Sequence, residues 1–363
     1  MDTTNLVPDW IRTLIPYQPG KPIDELEREY GISDSIKIAS NENPIGPSPR
    51  ALAAIQAALP DLHRYPDGDA FYLKHRLAEV RGVHRDQLII GNGSNEIIEL
   101  IIRTFMRPGE EVIVAQHAFA IYQIVTQAEA GRAIPVPHKG FFFDLDAMAA
   151  AITSKTRIVF LDNPNNPTGT IYFRDAFERF LTRIPDGVVV VVDDAYAEFV
   201  NDPRYPNSLE YHRPDRCLIT LRTFSKIYGL AGLRVGYGVA PPELVDAMNR
   251  VRAPFNANSL GQVAALAALD DDDHVRRTQE VVWTGLAYLR KELDRLGIEY
   301  APSWGNFLLA KLGVGAFEKL LHEGIIVRPM EGYGFPGYAR ITVGLPPGNQ
   351  RFVAALEKLA KAT

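Results

Sequence analysis

The sequence predicts an α/β protein built on a doubly wound, mostly parallel sheet, with a smaller α+β unit following it. Three observations point there. From Asp69 to about Arg252, amphipathic stretches alternate with short β-branched runs, the pattern of helices between strands. Those runs are apolar on consecutive residues, which implies strands covered on both faces, as in parallel sheets. The 363 residues also exceed what one core usually organises, so two unequal units are expected.

Taken in order, residues 1–50 carry Pro8, Pro16, Pro19, Pro22, Pro44, Pro47 and Pro49, and read as an extended N-terminal arm that partly joins the small unit. Residues 51–252 form the large unit, with strands expected at 111–115, 133–137, 157–161, 188–192, 217–221 and 234–239. Between them, Ser94 can cap a helix carrying Ile97, Ile98, Ile101, Ile102 and Phe105, and Leu244, Val245, Met248 and Val251 mark a further apolar face. Residues 253–363 form the small unit: a long helix over 273–297, a segment at 307–312, a helix at 315–322, a strand around 325–328 and a closing helix after Gly348. The acidic run 270–273 reads as a solvated loop capping the long helix rather than a cation site, whose ligands need wider spacing.

Composition removes several functions. With 46% hydrophobic and 23% charged residues the chain can bury enough apolar surface to fold. Lys+Arg 39 against Asp+Glu 44, with no basic block, argues against a nucleic-acid partner. A single cysteine, Cys217, excludes an intrachain disulfide and a multi-thiolate metal site, which makes the cytoplasm the expected compartment. The N-terminus lacks a basic start and an apolar core segment, and no run is long enough to span a bilayer, so no membrane segment is expected. The eight histidines never fall in metal-ligand spacing, and neither G-x-S-x-G nor H-E-x-x-H occurs, so metal and hydrolase chemistry lack support. His117 reads as a structural residue.

Chemistry in a buried parallel sheet collects at the carboxyl ends of its strands. There the chain places D-N-P-N-N-P-T-G from Asp162, D-D-A-Y from Asp193 and R-T-F-S-K ending at Lys226. Lys226 stands between a buried strand and a glycine-rich stretch, where desolvation would lower its pKa toward nucleophilic use. Asp193 closes a run of five valines, so a carboxylate at the edge of a dry core needs a partner. Either a cationic ring or a local cap would serve. G-N-G-S-N-E, beginning at Gly91, follows an apolar run and opens a helix, where backbone N–H groups cradle an anion or simply make a turn. It fails as a dinucleotide fingerprint because Glu96 occupies the third glycine position.

With these residues in place, a wider resemblance is visible. S-N-E-N-P-I-G-P-S-P (Ser40 onward), N-P-N-N-P-T-G (Asn163 onward), D-D-A-Y and T-F-S-K-I-Y-G-L-A-G-L-R-V-G-Y-G (Thr223 onward) resemble fold-type-I pyridoxal-phosphate (PLP)-dependent aminotransferases. P-Y-Q-P-G-K-P, R-Y-P-D and R-I-T-V-G make the chain similar to the histidinol-phosphate aminotransferase family over essentially its whole length.

The resemblance implies that Lys226 is the Schiff-base lysine, Asp193 the partner of the pyridine nitrogen, and Tyr196 and Asn166 the partners of the phenolic oxygen. Ser94, Asn95, Ser225 and Arg234 would hold the cofactor phosphate, with Tyr65 contributed by the neighbouring subunit of a homodimer with shared active sites. Phe119 falls where a ring stacks on the pyridine, although many relatives carry tyrosine there. Arg340 and Arg328, with Tyr17 and Asn43 nearby, map to the substrate end. The implied reaction transfers an amino group between a small amino donor, histidinol phosphate, and a 2-oxo acid, 2-oxoglutarate. An aromatic amino acid aminotransferase shares the same cofactor residues, and a PLP-dependent decarboxylase is a further alternative.

Overall fold

A computed structural model of the chain describes residues 6–361. Residues 1–5 and 362–363, which begin the N-terminal arm and end the small unit of the sequence reading, lie outside it. In chain order the strands are β1 (Ile36–Lys37), β2 (Leu88–Gly91), β3 (Glu111–Ala115), β4 (Arg132–Val136), β5 (Thr156–Asp162) and β6 (Val189–Asp193). They continue with β7 (Leu218–Thr223), β8 (Gly236–Val239), β9 (Phe307–Lys311), β10 (Ile325–Ile326), β11 (Arg328–Pro329) and β12 (Tyr338–Thr342).

Seven strands make the central sheet, in the order β2-β8-β7-β6-β5-β3-β4. Only β8 runs against the others, pairing antiparallel with β2 and β7. Strands β5 to β7 are buried almost throughout, as expected of a sheet covered by helices on both faces. The expected strand at 234–239 starts only at Gly236, because Arg234 adopts a left-handed conformation with φ 53°. The strand β2 that precedes the G-N-G-S-N-E turn joins the edge of this sheet.

A second, three-stranded antiparallel sheet, β11-β12-β9, lies toward the C-terminus, and the helices Asp272–Arg295 and Pro346–Lys361 pack with it into one apolar core. The expected single strand around 325–328 divides between two sheets: β10 pairs with β1, while β11 pairs with β12.

Two expectations need correction. The N-terminal arm is not extended throughout, since Ile23–Tyr30 is a helix. No proline falls between Pro22 and Pro44, and Ile23, Leu26 and Tyr30 share one helical face that packs against Leu321 and Ile326. Beyond it β1 pairs in parallel with β10, so this part of the arm does join the C-terminal elements. Ser94, in turn, does not cap its helix. Gly93–Phe105 begins one residue earlier with Asn92 at the cap position, and the Glu96 carboxylate accepts the Asn92 N–H at 2.6 Å. The acidic run does cap as expected: the Asp271 side chain accepts from the N–H of His274.

Candidate active site

Neighbouring parallel strands deliver their last residues side by side, and here those residues are polar. Asp162 ends β5 in register with Asp193, which ends β6, and Asp193 is in turn in register with Leu221 of β7. Three residues beyond β7 stands Lys226. These ends open into a cavity of about 280 Å³. A wider cleft of about 1030 Å³ beneath the N-terminal arm shares Tyr17, Gly20 and Arg328 with it.

Twelve of the fourteen residues singled out in the sequence line this one cavity. Lys226 Nζ donates to the Ser40 carbonyl at 3.3 Å and lies 5.6 Å from the centre of the Tyr196 ring. Burial, helped by the positive charges of Arg340 and Arg234, lowers its pKa to about 8. A neutral amine is thus accessible near physiological pH, where an ordinary lysine has almost none. Asp193 is 4% exposed, and burial pushes its pKa up to about 6 against the hydrogen bond it accepts from the Tyr122 hydroxyl at 2.8 Å. At the same edge the Tyr196 hydroxyl accepts a hydrogen bond from Asn41 Nδ2 at 3.0 Å, and its pKa is pushed up to about 12 by burial.

One end of the cavity is an anion cradle. The helix Gly93–Phe105 points its N-terminus, with Ser94 and Asn95, at the cavity, and Ser225 and Arg234 face it. The cradle depends on missing side chains: a Cβ on Gly93 would meet Arg234 Nη2 at 2.6 Å, and one on Gly236 would meet the Ser94 nitrogen at 2.5 Å. Phe119 lines the wall beside them, its ring edge-on to that of Tyr122.

At the other end β11 and β12 place Arg328 directly opposite Arg340. Arg340 is 6% exposed and donates from Nη1 to Asn166 Oδ1 at 2.5 Å and from Nη2 to the Ala39 carbonyl at 2.7 Å. Arg328 is 8% exposed, donates to the Gln18 carbonyl and lies 5.4 Å from the centre of the Tyr17 ring. Among the described residues neither guanidinium has a carboxylate within ion-pair distance. Like charges set opposite each other on a strand pair destabilise the sheet, so the pair makes sense as a receptor for an anion.

The two remaining residues are placed elsewhere. Asn43 does not reach the cavity: its Nδ2 donates to the Ile227 carbonyl at 2.8 Å and its Oδ1 accepts from the Ile45 N–H, so it braces the loop. Asn41, two residues earlier, lines the cavity in its stead. Tyr65 is 83% exposed and stacks on Phe255, outside the cavity of its own chain. His117 Nδ1 lies at 2.5 Å from the Tyr333 carbonyl.

Sequence reasoning missed Tyr122, Asn41 and Asp162. Tyr122 could have been found by extending the search at strand ends to β3, since it lies three residues past Phe119. Nothing local distinguishes Asn41 from Asn43. Asp162 opens the turn motif, and nothing in the motif alone sets it apart from the turn.

A buried lysine of lowered pKa, a buried acid one strand away, an anion cradle and a paired-arginine end define a site for moving amino groups on a phosphorylated carrier. Residues 33–356 match the family model for aminotransferase class I and II, and the chain belongs to that family. The chain is 49% identical over 350 residues to a histidinol-phosphate aminotransferase from Nitrosococcus oceani, covering 96% of this chain and 95% of that one. It is 49% identical over 353 residues to another from Moorella thermoacetica, covering 96% and 92%. A solved structure of histidinol-phosphate aminotransferase from Sinorhizobium meliloti in complex with pyridoxal-5'-phosphate superposes with a TM-score of 0.88 at 27% identity, covering 98% of this chain and 97% of that one.

Proposed function

We propose that this aminotransferase carries pyridoxal 5'-phosphate and moves the amino group of histidinol phosphate to 2-oxoglutarate, giving imidazole-acetol phosphate and glutamate in histidine biosynthesis. The observation that carries the substrate assignment is the buried pair Arg328 and Arg340, opposite each other and without a carboxylate partner among the described residues. Histidinol phosphate has no α-carboxylate, so one receptor must accept a phosphate in one half-reaction and a carboxylate in the other. Two planar guanidiniums suit both.

The residues of the cavity fit the cofactor by their chemistry: Ser94, Asn95, Ser225 and Arg234 for its phosphate, Asp193 for its ring nitrogen, and Tyr196 and Asn166 for its phenolic oxygen. When bound, pyridoxal phosphate supplies the electron sink for the carbon that loses its proton. Lys226, whose Nζ burial makes easier to deprotonate, would hold the cofactor and, once free, would take and return that proton. Asp193, whose carboxylate accepts from Tyr122, keeps a negative charge at the floor of the cavity. Phe119 supplies an apolar wall, and Arg340 with Arg328 and Tyr17 orients the substrate by its anionic end.

The reading includes a division of the chain into an arm (1–50), a cofactor-binding unit (51–252) and a C-terminal unit (253–363), and a homodimer whose partner supplies Tyr65. Support for the dimer is the exposure of Tyr65 together with Leu52, Leu59, Leu62, Phe71 and Tyr72 on one stretch of chain. Mixing Tyr65→Phe and Lys226→Ala subunits, each impaired alone, should restore some activity, and a fully active monomer in solution would refute the shared site.

The function itself is tested by a panel of amino donors on purified enzyme with 2-oxoglutarate. Histidinol phosphate is expected to give the highest kcat/KM. Preference for phenylalanine or tyrosine would instead establish an aromatic aminotransferase, and release of carbon dioxide a decarboxylase.

A further inference from the structure

Asp162 has no part in the chemistry above, yet its surroundings are exceptional for a carboxyl group. It is 4% exposed, ends β5 in register with Asp193 and lines the cavity. Its Oδ1 is buried without a hydrogen-bond partner, an arrangement that costs free energy unless the rest of the group compensates. The compensation is at Oδ2, which accepts from the backbone N–H of Asn166 at 2.8 Å and from Nδ2 of Asn165 at 3.1 Å.

Those two asparagines organise the turn between β5 and the next helix. Asn165 Oδ1 accepts from the N–H and hydroxyl of Thr168, and its Nδ2 also reaches the His117 carbonyl at 3.1 Å. The far side of the turn is tied to the C-terminal elements: the Gly169 carbonyl accepts from the Trp304 N–H at 2.8 Å. Asn166 then passes the constraint on, because its Oδ1 accepts from Arg340 Nη1 at 2.5 Å. A continuous chain of hydrogen bonds therefore runs from Asp162 through Asn166 to Arg340.

We infer that Asp162 is a positioning residue, whose carboxyl holds the backbone of Asn166 so that the Asn166 side chain can aim Arg340 at the anionic end of the substrate. This rests on the reading of Arg340 as an anion receptor. Burial, and the neighbouring Asp193, push the Asp162 pKa up to about 8 against the two hydrogen bonds it accepts, so the group is mostly uncharged near neutrality. An uncharged carboxyl holds by geometry rather than by charge, and asparagine, with one carbonyl oxygen for both donors, can copy it.

The test compares wild-type holoenzyme with Asp162→Ala, Asp162→Asn, Asn166→Ala and the Asp162→Ala/Asn166→Ala double variant. Measured are kcat and KM, the binding of succinate as a non-reacting dicarboxylate through the cofactor absorbance, and amide hydrogen exchange over 163–170. Asp162→Ala should raise KM and weaken succinate roughly tenfold, with a smaller change in kcat, and speed exchange across the turn. Asp162→Asn should recover most of that loss. In the Asn166→Ala background the loss of Asp162 should add less than about twofold, since the two residues act in series. Asp162→Val, which suits a strand end and offers no acceptor, replaces Asp162→Ala if the latter does not fold. Unchanged succinate binding in Asp162→Ala, an asparagine variant as impaired as the alanine one, or fully multiplicative losses in the double variant would each overturn the proposal. Wild-type enzyme that binds no succinate would refute the anion-receptor reading instead, and the exchange rates would still report whether Asp162 holds the turn.

Discussion

At the inner end of the cavity Asp162, Asp193 and Lys226 follow three neighbouring strands of one sheet, whereas at the outer end Tyr17, Arg328 and Arg340 come from an arm and two short strands of another. The inner groups are positioned by parallel register, which cannot shift without turning every buried side chain of β5 to β7 to the opposite face. The outer groups are positioned by convergence of segments that pack separately, with Arg328 and the Tyr17 ring held partly by each other. Rigid groups suit steps common to both half-reactions, while convergent ones suit a receptor that must accept two anions. Substitutions at the inner end should therefore affect all substrates alike, and substitutions at the outer end should separate them.

The largest effect expected is at Lys226. Lys226→Ala should lose turnover with histidinol phosphate and with glutamate together, by at least the roughly 10²–10⁴-fold that a positioned acid–base group supplies. Borohydride reduction of wild-type holoenzyme followed by peptide mapping should find the pyridoxyl group on Lys226, and finding it on any other lysine would displace the assignment. Next, Asp193→Asn should lower kcat by about 10²–10³-fold for both substrates, because an amide cannot oppose a positive charge on the ring, with KM changing less. A loss confined to one substrate would break the division between the two ends.

At the outer end the effects should be smaller and unequal. Arg340→Ala should impair both half-reactions. Arg328→Ala should reduce kcat/KM about 10–100-fold for histidinol phosphate and less for glutamate, since a charged hydrogen bond contributes about 1.5–3 kcal/mol and a phosphate offers more oxygens to a second guanidinium. Equal losses for the two substrates would show that the arginines act as a single unit.

The same contrast explains which parts of the molecule were legible in the sequence. Asp193 directly follows a buried apolar run, and Lys226 and Asn166 stand a few residues past one, so finding the runs finds the residues, and the strand 111–115 is bounded by abrupt changes of polarity. Asn41 and Asn43 lie in one motif, and it is distant contacts, the Thr342 hydroxyl accepting the Asn41 N–H at 2.8 Å and the Tyr196 hydroxyl accepting from its Nδ2, that turn Asn41 inward. The helix Ile23–Tyr30 was obscured by the prolines around it, although its own apolar spacing is helical. Tyr122 and Asp162 were missed for a different reason: each supports a neighbour, and a supporting role leaves no pattern until the neighbour is placed.

The smallest effect expected concerns the fold rather than turnover, and it probes the inner end by pH. Burial raises Asp162 from its ordinary 3.8 to about 8 in the folded chain, so between about pH 4 and pH 8 the native state holds a proton that the unfolded state has released. Stability therefore falls as pH rises through that window, is unaffected by this group below it, and carries the full penalty above it. Asparagine keeps the hydrogen bonds and has no proton to lose. Asp162→Asn should then melt close to wild type at about pH 5 and higher than wild type at about pH 8.5, by a few degrees at most in a chain of this size. Asp193, also raised, follows the same sign in both proteins, so most of its contribution cancels from the difference between the two melting curves. A gap between wild type and variant that does not change with pH would mean that Asp162 is already ionised at about pH 5 in the folded chain, and that the inner end tolerates two adjacent negative charges.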